Sequence, residues 1–240
     1  MGKLDFSLIL PAYNEGPTFE KSVGKIISEL NKTKNDWEII FVEDKSSDRT
    51  KASVEKFVET NKRFRAIFHK KNLGRGQSVV DGIKLSKAPI CGYMDVDCEV
   101  APTYIPLFLK EVKNGTDLVV GKRFYEKEYR SLTRFISSKV YARLIKLIFK
   151  LPVSDTECGY KFFNRKKIVK VLPDVLDKGW FWDTEICAVS YWKGLKISEI
   201  PVLFIKRREK KSTVKLVPGS IDYLKKAFSF YVRNTKNISK

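Results

Sequence analysis

The chain has 240 residues, with 47 Lys and Arg against 28 Asp and Glu, a formal charge of +19. Hydrophobic residues make up 43% and aromatics 12%, enough for a packed core, which excludes a wholly disordered basic tail. Residues 1–120 carry 19 basic and 17 acidic side chains, a net of +2, and residues 121–240 carry 28 and 11, a net of +17. One near-neutral half and one strongly basic half suggest two jobs, and the basic half should meet something anionic: nucleic acid, a membrane surface or a phosphorylated substrate. The longest uncharged stretch, residues 100–109, is ten residues long, short of the roughly 18–20 that a membrane-spanning helix needs. The apolar run at residues 6–10 is too short for a secretory signal. Four cysteines form no CxxC pair and His69 is the single histidine. Neither a zinc centre nor a Ser-His-Asp or Cys-His mechanism is expected.

In chain order, residues 6–10 read as a buried strand. Phe19, Val23, Ile26, Ile27 and Leu30 form the apolar stripe of a helix. Residues 37–42 are a second strand, and Ser47 or Asp48 caps a helix running to about residue 60. Residues 64–69 are a third strand. Residues 72–76 form a loop leading into a helix through residue 87, and residues 90–94 are a fourth strand. This alternation predicts an α/β fold with a mostly parallel sheet and helices on both faces. The second half is less regular. Residues 117–121 read as a strand, and residues 121–150 as a basic segment, helical after about 131. Residues 154–165 hold a polar turn, 180–192 a helix, 197–205 one long strand or a pair, and 221–233 a terminal helix.

Ligands of such sheets lie beyond the carboxyl ends of the strands, where the polar clusters fall: Pro11 to Glu15, Glu43-Asp44, and Asp95 to Glu99. Alternate residues of an extended segment point to one side, so Asp95, Asp97 and Glu99 converge if the strand geometry continues. Converging carboxylates suit a hard divalent cation such as Mg²⁺, usually shared with substrate phosphates. A solvated turn is the plainer alternative. Gly74-Arg-Gly76 matches neither a dinucleotide fingerprint nor a P-loop.

The strings PAYNE, ED-x-SSD-x-T, N-x-G-x-G, DVD, GKRF, DTECGYKFF and WDTE followed by EIPV occur in this order between Pro11 and Val202. The sequence resembles the family 2 glycosyltransferases, and more narrowly the dolichyl- and polyprenyl-phosphate hexosyltransferases, over residues 7–212. The resemblance implies a GT-A fold, a nucleotide-sugar donor (UDP-glucose first, GDP-mannose second), Mg²⁺ or Mn²⁺, and inversion at the anomeric carbon. It implies nucleotide-binding roles for Pro11, Ala12, Tyr13, Glu15, Asp44 and Asp95. It places Asp95 and Asp97, with Glu99, on the metal and diphosphate. Arg123, Arg134 and Ser137 match the positions that hold the lipid phosphate, and Arg207 and Ser212 a loop closing over the diphosphate. Three departures stand out. Glu43 replaces Asp. Lys45 replaces a Gly, which costs something if that position needs φ > 0. In the closing loop Lys210 and Thr213 replace Gly and Lys, with Lys211 or Lys215 as substitute charges.

A glycosyltransferase domain is expected over residues 1–205, with a nucleotide-sugar and metal half (1–120) and an acceptor half (121–205), followed by a basic loop and amphipathic tail (206–240). A phosphate acceptor is largely ionised near neutral pH, since its second pKa is about 6, and needs no general base. A hydroxyl acceptor needs one, and Asp183 or Glu185 is then the candidate; both also suit the first turn of a helix. Lys139, Arg143, Lys146 and Lys150 form one stripe of a basic amphipathic helix, suited to a membrane interface or to ordinary surface packing. The expectation is an enzyme peripheral to the cytoplasmic face of a membrane, with no nucleic-acid partner. The rivals are a glycosyltransferase acting on a glycan hydroxyl, a basic nucleic-acid-binding module, and a nucleotide binder without turnover.

Overall fold

The computed structural model describes residues 4–125, 145–206 and 216–238. Seven strands form one sheet: β1 (Phe6–Ala12), β2 (Trp37–Glu43), β3 (Phe64–Phe68), β4 (Ile90–Met94), β5 (Leu118–Tyr125), β6 (Tyr160–Asn164) and β7 (Ile197–Phe204). Their spatial order is β3-β2-β1-β4-β6-β5-β7. Both halves of the chain therefore contribute to one sheet. Pairings β1–β2, β1–β4, β2–β3 and β5–β7 are parallel, whereas β6 lies antiparallel between β4 and β5. The expected α/β architecture is present. β6 is the difference: the segment read as a polar turn supplies a central strand.

The principal helices are α1 (Phe19–Lys32), α2 (Thr50–Thr60), α3 (Arg75–Leu85), α4 (Ile105–Lys113), α5 (Trp182–Trp192) and α6 (Leu216–Arg233). β1 and β2 are buried at every position, as strands covered on both faces must be. Period-two alternation sorts their side chains. Ile9 and Ile40 pack with Val79, Ile83, Trp182 and Ile186 on one face. Leu8, Leu10 and Ile39 pack with Phe19, Val23, Phe108 and Phe162 on the other. β7 is an edge strand, with Ile200 and Val202 buried and Pro201 and Leu203 exposed. Proline is tolerated there because an edge needs fewer ladder donors. The inner side of α6 buries Ala227 and Phe230, and Phe230 stacks on Trp192 and meets Phe149 and Phe181 edge-on. Among the described residues no helix is long and apolar enough to cross a membrane.

Candidate active site

The carboxyl ends of β1, β2 and β4 bring three loops together. After β1, Asn14 adopts a positive φ of 52°, and the chain is tied to the loop after β2. Asn14 N–H donates to Ser46, Glu15 N–H to Thr50 Oγ1 and Gly16 N–H to Asp48, at 2.9–3.0 Å. Pro11 and Ala12 close the buried strand, and Tyr13 is exposed beyond it. Asp44 is buried at the end of β2. Its Oδ1 accepts from Leu73 N–H at 2.7 Å and Oδ2 from Gly74 N–H at 2.8 Å, and His69 Nδ1 lies 2.7 Å from Oδ1. Asp44 thus organises the N-x-G-x-G loop, while an ionised carboxylate retains acceptor capacity on Oδ2. His69 sits between two carboxylates, with Nε2 3.3 Å from Asp81. Its imidazole side chain is 6% exposed.

The strand geometry does not continue past β4. The chain turns, with Cys98 N–H donating to Asp95 O at 3.3 Å and Cys98 at φ 53°. Asp97 Oδ1 accepts from Glu99 N–H at 3.2 Å. Glu99 O accepts from Ile205 N–H at 2.8 Å, which leads this segment to the end of β7. The expected convergence of Asp95, Asp97 and Glu99 is therefore corrected. Among the described residues no group of three or more His, Cys, Asp or Glu is placed to hold a metal ion. What remains is the Asp95–Asp97 pair. Burial raises the pKa of the Asp95 carboxyl, and repulsion from Asp97 and Asp183 adds to this against the pull of Arg75. The Asp95 side chain is 40% exposed. Two neighbouring hard oxygen donors fit a Mg²⁺ or Mn²⁺ ion whose remaining ligands would be phosphates and water.

Beside this pair lies a buried network that the motifs did not reveal. Arg75 Nε and Nη2 both donate to Asp95 Oδ1, at 3.0 and 2.7 Å, and Nη1 donates to Asp183. The guanidinium lies over the rings of Tyr93 and Trp180, 5.2 and 5.0 Å from their centres. Burial opposes its charge, but Asp183 and Asp95 outweigh burial and hold Arg75 firmly cationic. Asp183 also accepts from Tyr93 and, at 2.5 Å, from the fully buried Lys161. Lys161 completes its shell with Tyr93 Oη at 3.0 Å and Cys158 O at 2.7 Å. Two cations and two carboxylates are thus interleaved. Three readable signals pointed here: an Arg at a helix N-terminus, a Lys inside an apolar strand, and an Asp opening α5.

The expected base candidates are both engaged. Asp183 is held by three donors. Glu185 accepts from Leu176 and Asp177 N–H at 2.7 and 2.8 Å and from Arg233 at 2.7 Å. It anchors a loop and the end of α6. Both carboxylates thus carry several hydrogen bonds in the first turn of α5, where acidic residues are favoured.

Arg123 on β5 forms a two-pronged pair with Asp155, Nε and Nη2 each reaching a separate oxygen at 2.8 Å. Glu157 lies 3.6 Å from Nη2. Burial works against the charged form of Asp155, but Arg123 and its hydrogen bonds prevail and lower its pKa below the ordinary 3.8. Glu157 moves the other way, raised by burial and then by Asp155 and Asp183. Glu199 in the EIPV string accepts from Asp155 N–H at 3.0 Å. Thr156 bonds to Thr184 at 2.7 Å, and Thr184 to Tyr223 of α6 at 2.6 Å. The later motifs are therefore braced against one another and against α6. Arg134, Ser137, Arg207 and Ser212, with Lys139 and Arg143 of the basic stripe, lie outside the described residues.

Comparison with known proteins agrees with this architecture. The model of the family Glycosyl transferase family 2 matches residues 7–172. Glycosyltransferase AglD of Haloferax volcanii is 28% identical over 204 residues, covering 83% of this chain and 33% of that protein. The dolichyl-phosphate beta-glucosyltransferase of Saccharomyces cerevisiae is 28% identical over 218 residues, covering 82% and 65%. The chain thus spans a third of the first relative and just under two thirds of the second. Glucosyl-3-phosphoglycerate synthase from Mycobacterium tuberculosis, in complex with Mn²⁺, uridine diphosphate and phosphoglyceric acid, superposes with a TM-score of 0.72 at 18% identity, covering 95% of this chain and 78% of that one. That likeness shows a shared GT-A fold. With the family model matching well over half of its length, the chain belongs to glycosyl transferase family 2.

Proposed function

We propose that this chain transfers a hexose, with inversion, from a nucleotide-sugar to the phosphate of a polyprenyl or dolichyl lipid. The observation that supports this most is the engagement of Asp183 by Arg75, Lys161 and Tyr93. A hydroxyl acceptor needs a base, and Asp183 and Glu185, the two candidates, are both committed elsewhere. A phosphate arrives already ionised, with a second pKa of about 6. The relatives named as dolichyl-phosphate beta-glucosyltransferases favour UDP-glucose as donor, with GDP-mannose second.

In this reading Pro11, Ala12, Tyr13, Glu15 and Asp44 receive the nucleotide. Asp95 and Asp97 hold Mg²⁺ or Mn²⁺ against the diphosphate, with Glu99 reaching it only through a change in the turn. A bound divalent cation neutralises charge that develops on the leaving diphosphate. Arg123, aligned by Asp155, receives the acceptor phosphate together with Arg134 and Ser137, and Arg207 closes over the leaving group. Preorganised cations of this kind act where negative charge grows.

The lipid acceptor also calls for a membrane surface. On α6, Leu224, Phe228, Tyr231 and Val232 are exposed, Phe228 by 70%, whereas Ala227 and Phe230 are buried. Lys225 and Lys236 flank them and are exposed. An apolar stripe with basic flanks suits an interfacial helix on the cytoplasmic leaflet, where each Lys or Arg contributes on the order of 1 kcal/mol. Nucleic acid has no part in this reading.

A thermal-shift panel of UDP- and GDP-sugars with Mn²⁺ or Mg²⁺ tests the donor site. Stabilisation by UDP-glucose with metal, lost in Asp97→Ala, is expected. The absence of any shift with every nucleotide-sugar and metal pair would sink the reading.

A further inference from the structure

Arg75 opens α3, where the helix dipole favours an anion over a cation. Its placement is nevertheless fixed from every side. Two of its nitrogens reach the same oxygen of Asp95, Oδ1, at 3.0 and 2.7 Å. The third donates to Asp183, itself held by Lys161. The guanidinium also lies over the rings of Tyr93 and Trp180. The loop carrying Trp180 cannot withdraw freely, because Gln77 N–H donates to Lys178 O at 3.0 Å. A side chain at Gly76 would also strike Trp182 Cβ at 2.5 Å. Because both bonds fall on Oδ1, Oδ2 of Asp95 is left outside the clamp, on a side chain that retains 40% exposure.

We propose that Arg75 is a positioning residue: backed by Asp183, Lys161, Tyr93 and Trp180, it fixes the Asp95 carboxylate so that Oδ2 meets the divalent cation, and thereby sets the affinity of the cation–nucleotide site. The inference rests on the reading that Asp95 and Asp97 hold a divalent cation with a nucleoside diphosphate. Simple charge repulsion gives the opposite expectation, since removing a nearby cation should tighten metal binding. Orientation dominates here because two carboxylates already neutralise the guanidinium. Outer partners that orient a metal ligand are worth roughly 10–100-fold in affinity.

The test is Mn²⁺ binding to the full chain by electron paramagnetic resonance, in excess UDP, with the unfolding midpoint of each variant recorded. Arg75→Met should bind Mn²⁺ roughly 10–100-fold more weakly. Arg75→Lys should also weaken binding, because the ammonium lacks the planar fork. Trp180→Ala truncates a half-exposed ring, so it should keep the unfolding midpoint near wild type while weakening Mn²⁺ a few-fold (roughly, for a partly lost orienting contact). It decides the question if the Arg75 variants do not fold. Folded variants that bind Mn²⁺ as tightly as wild type, or more tightly, overturn the inference alone. A wild-type chain that binds no Mn²⁺ with UDP overturns the metal reading and the inference together.

Discussion

Gly159 stands against the carboxylate of Asp95 so closely that a methyl group at position 159 would lie 1.9 Å from Asp95 Oδ2 and 2.4 Å from Arg75 Nη2. The register explains the approach. Met94 pairs with Tyr160 across the β4–β6 ladder, and one step further Asp95 N–H donates to Gly159 O at 3.0 Å. The DTECG string thus packs its glycine onto the first Asp of DVD. Gly159→Ala must push the carboxylate aside. A displacement of about 1 Å can cost on the order of 100-fold in turnover, whereas overpacking of this kind costs about 1–3 kcal/mol in stability. Steady-state kinetics beside a denaturant titration separates the two. Wild-type turnover in this variant would contradict the geometry.

Asp183 neutralises two cations, one of which, Lys161, has no solvent exposure. Asp183→Ala leaves that ammonium unpaired, and breaking a buried pair costs about 3–5 kcal/mol. Urea unfolding should show that loss. A general base would behave differently: its removal would abolish turnover while leaving the unfolding midpoint near wild type.

The Arg123–Asp155 pair gives a pH signature. The folded pKa of Asp155 lies below its ordinary value of 3.8. Its contribution is therefore full above that value and lost as pH falls through the lower, folded one. The difference in melting temperature between wild type and Asp155→Asn should be largest near neutrality and shrink below about pH 4. A gap that stays constant down to that range would remove the pair from the stability of the site.

Lys45 occupies the left-handed region, at φ 64°, where the departure from the family's glycine raised the possibility of a cost. An L-residue there is disfavoured by about 1–2 kcal/mol relative to glycine. Since Lys45 is exposed, Lys45→Gly should raise the melting temperature by roughly 2–4 °C per kcal/mol recovered in a chain of this size. An unchanged or lowered melting temperature would show that the loop depends on the lysine side chain.

The first half of the chain was largely legible because β1, β2 and β4 are mostly apolar runs, buried on both faces, with Ser7 and Glu38 as the interior polar positions. β6 was not. Its run is short, Lys161 interrupts it, and its antiparallel insertion between β4 and β5 depends on partners distant in sequence. α4 was not legible because Pro102 and Pro106 read as helix breakers, whereas each occupies the first turn of a helical segment, where its missing N–H costs nothing. At the site, the position of Asp95 and Asp97 beyond the end of β4 was legible, but the turn that carries Glu99 away was not, because nothing local announces the positive φ of Cys98. The role of Arg75 was not legible because its direct partners come from two distant segments, Tyr93 with Asp95 and Trp180 with Asp183, and Lys161 from a third, which a linear reading does not join.

The most direct test of the central claim is the phase into which labelled sugar partitions after incubation with UDP-[¹⁴C]glucose, Mn²⁺ and polyprenyl phosphate in anionic vesicles. The account predicts an organic-extractable product that requires Mn²⁺ and is lost in Asp97→Ala. Label that appears only in water-soluble glycan, or a lipid product that persists in Asp97→Ala without metal, would contradict it.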